Sequence, residues 1–342
     1  MANFLVSKKV NGATSELQQA IRNYERPNLL KAVWQLANTF IPYTIVCILM
    51  YLSYIAGYSY WIILCLGILA AGLLVRIFIF FHDCAHQSFF SSRKANTVLG
   101  YICGILTFTP FEEWRKSHGW HHNTFGDLDR RGTGDVWTMT AEEFRKASKP
   151  KRFWYRFFRH PFVLLCLGPA YLFMVSYRYA HEGAKRPQKN SVIITNAAIA
   201  TIIVAASLTI GFKAYAVIQF PVIFFAGVIG IWLFYVQHQF EGIYWSRHDR
   251  WDPIKAALYG SSYYKLPKVM QWFTGNIGLH HIHHLRSRIP NYNLQRAYDD
   301  TKAFLDVEPL TIRKSIRCLQ LKLWDEKGQK LVGFKSAYAL AK

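Results

Sequence analysis

The sequence predicts an all-α integral membrane protein: four transmembrane helices in two hairpins, with a helical cytoplasmic cap. Three observations predict it. The chain has 342 residues, 52% of them hydrophobic, and the apolar residues gather into four runs, about 38–56, 59–81, 192–211 and 215–237. Each run is near the ~20 residues an α-helix needs to cross the hydrocarbon layer. The joints within each pair, 57–58 and 211–214, are short enough for hairpins. Finally, the formal net charge of +21 is unevenly placed. Lys and Arg crowd residues 82–191 and the tail after 238, whereas the joints hold only Lys213. Cationic segments stay on the cytoplasmic side, so both termini and the long middle segment are expected there.

The elements follow in order. Residues 1–37 read as an amphipathic cytoplasmic lead-in, with no short apolar core followed by small residues to mark a cleavable signal. Residues 38–81 form the first transmembrane hairpin. Residues 82–191 form part of the cap and hold two shorter apolar stretches, "VLGYICGILTFTPF" (98–111) and "FVLLCLGPAYLFMVSY" (162–177). These are expected to lie in the interface or to re-enter it without crossing. Residues 192–237 form the second transmembrane hairpin, and 238–342 complete the cap. A soluble bundle of buried helices is the competing reading, but soluble helices of this length carry a charged face. Nucleic-acid binding, the other reading of a basic chain, lacks any recognised module. Six scattered cysteines, with no CxxC pair, exclude a disulfide framework. Cys84 reads as a small packing residue.

The chemistry lies in the histidines. "HDCAH" places His82 and His86 four apart; "HGWHH" supplies His118, His121 and His122; "HHIHH" supplies His280, His283 and His284. Spacings of three and four put side chains on one helical face. Only five of the 13 histidines fall outside these eight, and one of them, His281, lies within the third cluster. Neutral imidazole is the commonest transition-metal ligand. Eight nitrogens exceed what one ion takes, whereas two ions with four or five ligands each fit. His238, at the end of the last run in "FYVQHQFE", is the ninth candidate because its depth should match that of His82. The runs bring His82 and His238 out on the same face. A shared site further requires that neither 98–111 nor 162–177 cross the membrane singly.

His160, His181 and His248 read as solvated, and His281 either supports its neighbours from behind or faces away from them. Asp83, Asp127, Asp135, Glu241 and Asn276 could orient the imidazoles through their second ring nitrogen. Asp83 and Asn276 are preferred, the latter because it stands one helical turn before His280. Imidazole-rich sites suit Fe, Cu, Zn or Ni. Two redox metals beside a bilayer suggest attack by O2 on the C–H bonds of a lipid chain. A metal transporter would carry its ligands mid-membrane instead. Here Arg76 is the one charge well inside a span, near its boundary, where it can snorkel.

The ordered set "HDCAH", "HGWHH" and "HHIHH", with hydrophobic hairpins before and between, resembles the membrane fatty acid desaturases over about residues 38–300. Three residues separate the first two histidines, as in acyl-lipid members. "RRGTGDVW", "GSSYYKLPK", "TGNIGLHHIHHL" and "PNYNL" resemble bacterial phospholipid desaturases, especially the Gram-positive delta-5 type. The resemblance implies a di-iron enzyme of the bacterial cytoplasmic membrane that uses O2 to place a cis double bond in phospholipid acyl chains. It implies His82, His86, His118, His121, His122, His280, His283 and His284 as iron ligands, with His238 the ninth. A fused cytochrome domain would show an HPGG motif; here His160-Pro161 continues as Phe162-Val163. The implied electron source is therefore an external ferredoxin or flavodoxin. The alternative is a lipid or carotenoid hydroxylase of the same superfamily, which begins with the same hydrogen abstraction.

Overall fold

The computed structural model describes Leu17, residues 19–305 and residues 307–339. Most of the expected lead-in therefore lies outside the described residues. Among the described residues, four helices are long and apolar enough to cross a membrane: α1 (Leu29–Ile55), α2 (Tyr60–Ala85), α7 (Arg186–Thr209) and α8 (Phe212–His238). Between the hairpins lie α3 (Arg93–Leu106), α4 (Phe111–Thr124), α5 (Lys149–Phe158) and α6 (Gly168–Met174). After α8 come α9 (Pro253–Gly260), α10 (Lys268–Phe273), α11 (His280–Leu285) and α12 (Asn291–Asp300). The protein is an all-α membrane protein.

The spanning helices overrun the apolar runs. Helix α1 begins at Leu29, where Asn28 caps it by accepting from the Lys31 N–H at 2.9 Å. At about 1.5 Å per residue its 27 residues reach about 40 Å, beyond a hydrocarbon core of about 30 Å. Hydropathy marks where lipid begins; the backbone ladder continues until a cap or turn stops it. Exposed Ile41, Ile45, Ile48 and Leu52 give α1 a lipid-facing stripe.

Helix α2 is the centre of the bundle. Over its most apolar stretch 56% is buried, against 17–28% for the other three. It packs on α1, α3 and α8, and from Ile79 to Ala85 every residue is buried. Arg76 does not snorkel. It is 3% exposed, its Nε donates to Thr39 Oγ1 at 3.0 Å, and Nη1 donates to the Trp272 carbonyl. The guanidinium stacks 4.2 Å from the Trp272 ring. Internal partners replace the water that snorkelling would seek, which ties α10 to α2.

Helix α3 has 14 residues, about 21 Å, and a turn at 107–110 feeds straight into α4. That turn closes over Gly104, where an added Cβ would come within 2.5 Å of the Thr109 carbonyl oxygen. A Gly104→Ala variant is expected to lose about 1–3 kcal/mol, the usual cost of overpacking. The check is a lower melting temperature of the purified protein; an unchanged one would mean that the turn yields freely.

Segment 149–178 is bent by 67° between its two limbs. Helix α5 turns Tyr155 into the protein and exposes Phe153, Trp154 and Phe157 among lysines and arginines, the amphipathic pattern of an interfacial helix. A π-helical turn, Val163–Leu167, then leads into α6, which packs on α8.

The segments expected to form the cap are not purely helical. Met139–Thr140 pairs in parallel with Leu323–Asp325, which pairs antiparallel with Lys330–Val332. Tyr264–Lys265 pairs in parallel with Leu310–Thr311. These strands are only two or three residues long, and the two parallel pairings join segments distant in sequence, so no local alternation announces them.

Candidate metal centre

All three histidine motifs meet at one end of the bundle. His82 lies on the last turn of α2, and His86 caps that helix. Helix α4 carries His118, His121 and His122 on its inner face, with Arg115, Lys116 and Trp120 exposed on the other. His238 is the last residue of α8, and α11 carries His280, His283 and His284.

The imidazoles sort into two groups. His82, His86, His118, His122 and His283 can each offer a nitrogen within 4.8 Å of the others, as can His121, His238 and His284. His280 joins the second group, its Nε2 2.9 Å from His238 Nε2. Helices α4 and α11 each serve both groups, because residues three and four apart share a face yet diverge in angle.

The nitrogens point at one another. In the first group, His118 Nε2 lies 3.0 Å from His86 Nε2 and 3.1 Å from His122 Nε2, which lies 3.1 Å from His283 Nε2. In the second, His121 Nε2 lies 3.2 Å from His238 Nε2. A hydrogen bond needs one donor and one acceptor, so a chain of facing nitrogens cannot be fully satisfied by neutral rings alone. His82 Nε2 and His284 Nε2 are buried with no partner, and each such atom costs about 1–3 kcal/mol. Ligands at about 2.1 Å from one ion, set at right angles, stand about 3.0 Å apart. The donor set and its spacing fit two transition-metal ions.

The electrostatics agree. Burial, reinforced by neighbouring imidazoles, pushes His118, His122, His280, His283 and His284 well below the ordinary histidine range. They are held neutral, the form that binds a metal. Aromatic rings keep them dry: Trp114 stacks on His118 at 4.1 Å and Phe125 lies 4.2 Å from His238.

Two carboxylates orient ligand candidates. Asp135 Oδ1 accepts from His121 Nδ1 at 2.6 Å, directing Nε2 inward. The loop reaches this position because Gly134, at φ +74°, runs tight against α4; an added Cβ would sit 3.1 Å from His121 Cβ. Asp83 Oδ1 lies 3.4 Å from His82 Nδ1. Its Oδ2 accepts from the Asn291 N–H at 2.7 Å and from Asn291 Nδ2 at 2.9 Å. Gln35 Nε2 in turn donates to Asn291 Oδ1 at 2.9 Å. Nothing in the sequence marks Gln35, and "PNYNL" marks Asn291 only as part of a segment that carries the family resemblance.

Among the described residues, the other candidates make no hydrogen bond to an imidazole of the two groups. Asn276 is not on the α11 helix; it sits in the preceding turn at φ +59°, and its Nδ2 donates to the Asn291 carbonyl at 3.1 Å. The turn Thr274–Leu279 breaks the helix on which the spacing argument relied. Asp127 is bound to Arg130 at 2.6 Å and to His248 at 2.7 Å, and Glu241 is exposed. His248 and His181 are thus half-exposed but paired, with Asp127 and Glu113 respectively, and not simply solvated. His281 faces away, buried among Tyr263, Tyr298 and Phe304.

An Asp135→Ala variant is expected to lower metal affinity about 10–100-fold, as losing such an orienting partner does. Metal titration of the purified protein checks this; unchanged affinity would mean that packing alone aims the His121 ring.

A cavity of about 1000 Å³ opens beside the histidines. His82, His118 and His280 border it, and its walls are apolar, including Val75, Phe78, Leu164, Phe173, Ile223 and Phe234. On α8 it extends from Gln237 back to Ile223, about 21 Å along the axis. Such a space suits a long flexible hydrocarbon whose one end region lies against the imidazoles.

Comparison with known proteins points the same way. The fatty acid desaturase family profile matches residues 58–315. The chain is 41% identical over 321 residues to a fatty acid desaturase of Bacillus subtilis, covering 94% of this chain and 91% of the relative. It is 27% identical to an sn-1 oleoyl-lipid 12-desaturase of a Picosynechococcus strain, over 71% of this chain and 70% of that one. It is also 27% identical to an sn-1 acyl-lipid omega-3 desaturase (ferredoxin) of a Synechocystis strain, over 68% and 65%.

Proposed function

The chain belongs to the fatty acid desaturase family, and on that premise we propose that it desaturates acyl chains of membrane phospholipids. Its membership makes it an oxidoreductase of lipid metabolism. The finer reading is that O2, with two external electrons and two protons, takes two hydrogens from adjacent methylenes, leaving a cis double bond and releasing two waters. The observation that carries this reading is the meeting of nine imidazoles at one end of a long apolar cavity, at the end of the membrane bundle.

His82, His86, His118, His122 and His283 would hold one iron, and His121, His238, His280 and His284 the other. Bound iron supplies the reduction of O2 and the attack on an unactivated C–H bond. The protein's own residues do the rest. Asp135 and Asp83 aim His121 and His82. Trp114 and Phe125 exclude water beside the ligands. The cavity walls hold the chain extended, so that one pair of methylenes faces the imidazoles. The position of the new bond then follows from how far the chain runs past them.

The placement of Lys and Arg supports a cytoplasmic site, with residues 82–191 and 238–342 as the cap and both termini on that side. The reductant is an acidic ferredoxin or flavodoxin, drawn to the basic face. The word ferredoxin in the name of the Synechocystis relative is consistent with this choice.

The deciding experiment is expression in a host with saturated membrane lipids, followed by chromatography of its fatty acids. New monoenes that depend on O2 are expected. Hydroxy fatty acids in their place would assign the chain to the hydroxylases, and no change in either would remove the proposal.

A further inference from the structure

A second cavity, of about 360 Å³, lies where the chain enters α1. It shares no lining residue with the acyl cavity and is formed by the approach to α1, the first turn of α1 and α12. Its lining is polar throughout and includes three cations, Arg26, Lys31 and Arg296. One carboxylate stands at its edge: Asp300 Oδ2 accepts from Tyr24 at 2.7 Å and pairs with Arg296 Nε at 3.3 Å. The balance is two positive charges.

The walls are fixed. Buried Asn293 donates through Nδ2 to the Tyr24 carbonyl at 2.9 Å and accepts from Lys31 Nζ at 3.1 Å. Arg296 lies 5.9 Å over the Tyr24 ring. Arg26 has no side-chain partner among the described residues. Directly beside the cavity, the first turns of α1 expose Leu29 (67%), Leu30 (82%), Val33 and Trp34 (68%). A cationic pocket thus adjoins an apolar stripe at the end of the membrane bundle that carries the histidines.

We propose that this cavity binds the phosphate-bearing head group of an anionic glycerophospholipid whose acyl chains lie along Leu29, Leu30, Val33 and Trp34. The lipid is a bound companion of α1 and not the chain under oxidation, because the two cavities are separate. Free phosphate shares the head-group chemistry but would leave the apolar stripe without a role. Since Asn293 joins α12 to the residues before α1, the lipid would brace the same helix whose Asn291 binds Gln35 and Asp83.

The test is native mass spectrometry of the full chain purified in detergent, titrated with phosphatidylglycerol or phosphatidylcholine. The wild type should retain one phosphatidylglycerol in preference to phosphatidylcholine. Each cation removed, as Arg26→Gln, Lys31→Ala or Arg296→Ala, should weaken retention about fivefold, and the triple variant about 100-fold. Arg26→Gln alone guards against misfolding, because that side chain supports no described contact; Arg26→Lys should bind nearly as the wild type does. Equal retention of both lipids, or undiminished retention by the triple variant, would overturn the proposal. Displacement of the lipid by millimolar inorganic phosphate would assign the pocket to the free anion instead. None of these readouts involves desaturation, so the outcome is independent of the reaction assigned above.

Discussion

A His121→Ala variant is expected to form no detectable double bonds and to bind about one metal ion per chain where the wild type binds about two. The expectation rests on its position. His121 Nε2 stands 3.2 Å from His238 Nε2, and its Nδ1 is anchored on Asp135 at 2.6 Å. Removing it leaves His238, His280 and His284 around one side of the second group and leaves the Asp135 carboxylate, 4% exposed, without its main partner. Losing an orienting residue already costs about 10–100-fold, so losing the ligand itself should exceed that range. Chromatography of total fatty acids and metal analysis of the purified variant provide the readouts. Retained double-bond formation would remove His121 from the essential set. Full activity loss with two ions still bound would make its role something other than holding metal.

Gly230→Leu is expected to reduce desaturation of long acyl chains about 10-fold or more while leaving metal content unchanged. Gly230 lines the apolar cavity beside the histidines, and a Cβ built on it meets nothing within 4 Å. It precedes His238 by eight residues, about 12 Å along α8. A leucine there projects into the space that the distal part of the chain would fill. One misplaced methylene in an apolar pocket costs about 10–200-fold in discrimination, and leucine introduces several. Helix stability is not at risk, because leucine favours a helix over glycine by nearly 1 kcal/mol. Shorter chains that end before this level should be affected least. The check is the product profile by chain length and bond position, beside metal analysis. An unaltered profile would mean that the acyl chain does not run along this wall.

The two predictions separate metal holding from chain holding. The first should change metal content and activity together; the second should change only activity and product pattern. A result in which Gly230→Leu also released metal would show that α8 moves as a unit, carrying His238 with it.

Much of this protein was legible in its residues. An apolar run of about 20 residues is a local property, so the four spans could be read directly, although their helices run on to Leu29 and Arg186 through polar turns. Eight of the nine histidines were legible for the same reason: spacings of three and four lie within one helical turn. His238, alone in "FYVQHQFE", was reached only through the matching depths of α2 and α8.

What the residues could not reveal is how those imidazoles divide, with His118 and His122 in one group and His121, between them, in the other. Nor could they single out Asp135 among five acidic and amide candidates, or show Asn291 clasping Asp83 across 208 positions. They placed Asn276 on a helix that ends before reaching it, and sent Arg76 toward water when Thr39 and Trp272 enclose it. Spans and spacings arise from interactions within a few residues, which composition and periodicity record. Ligand grouping, carboxylate direction and cavity shape arise from contacts between distant segments, and those exist only once α2, α4, α8 and α11 have packed together.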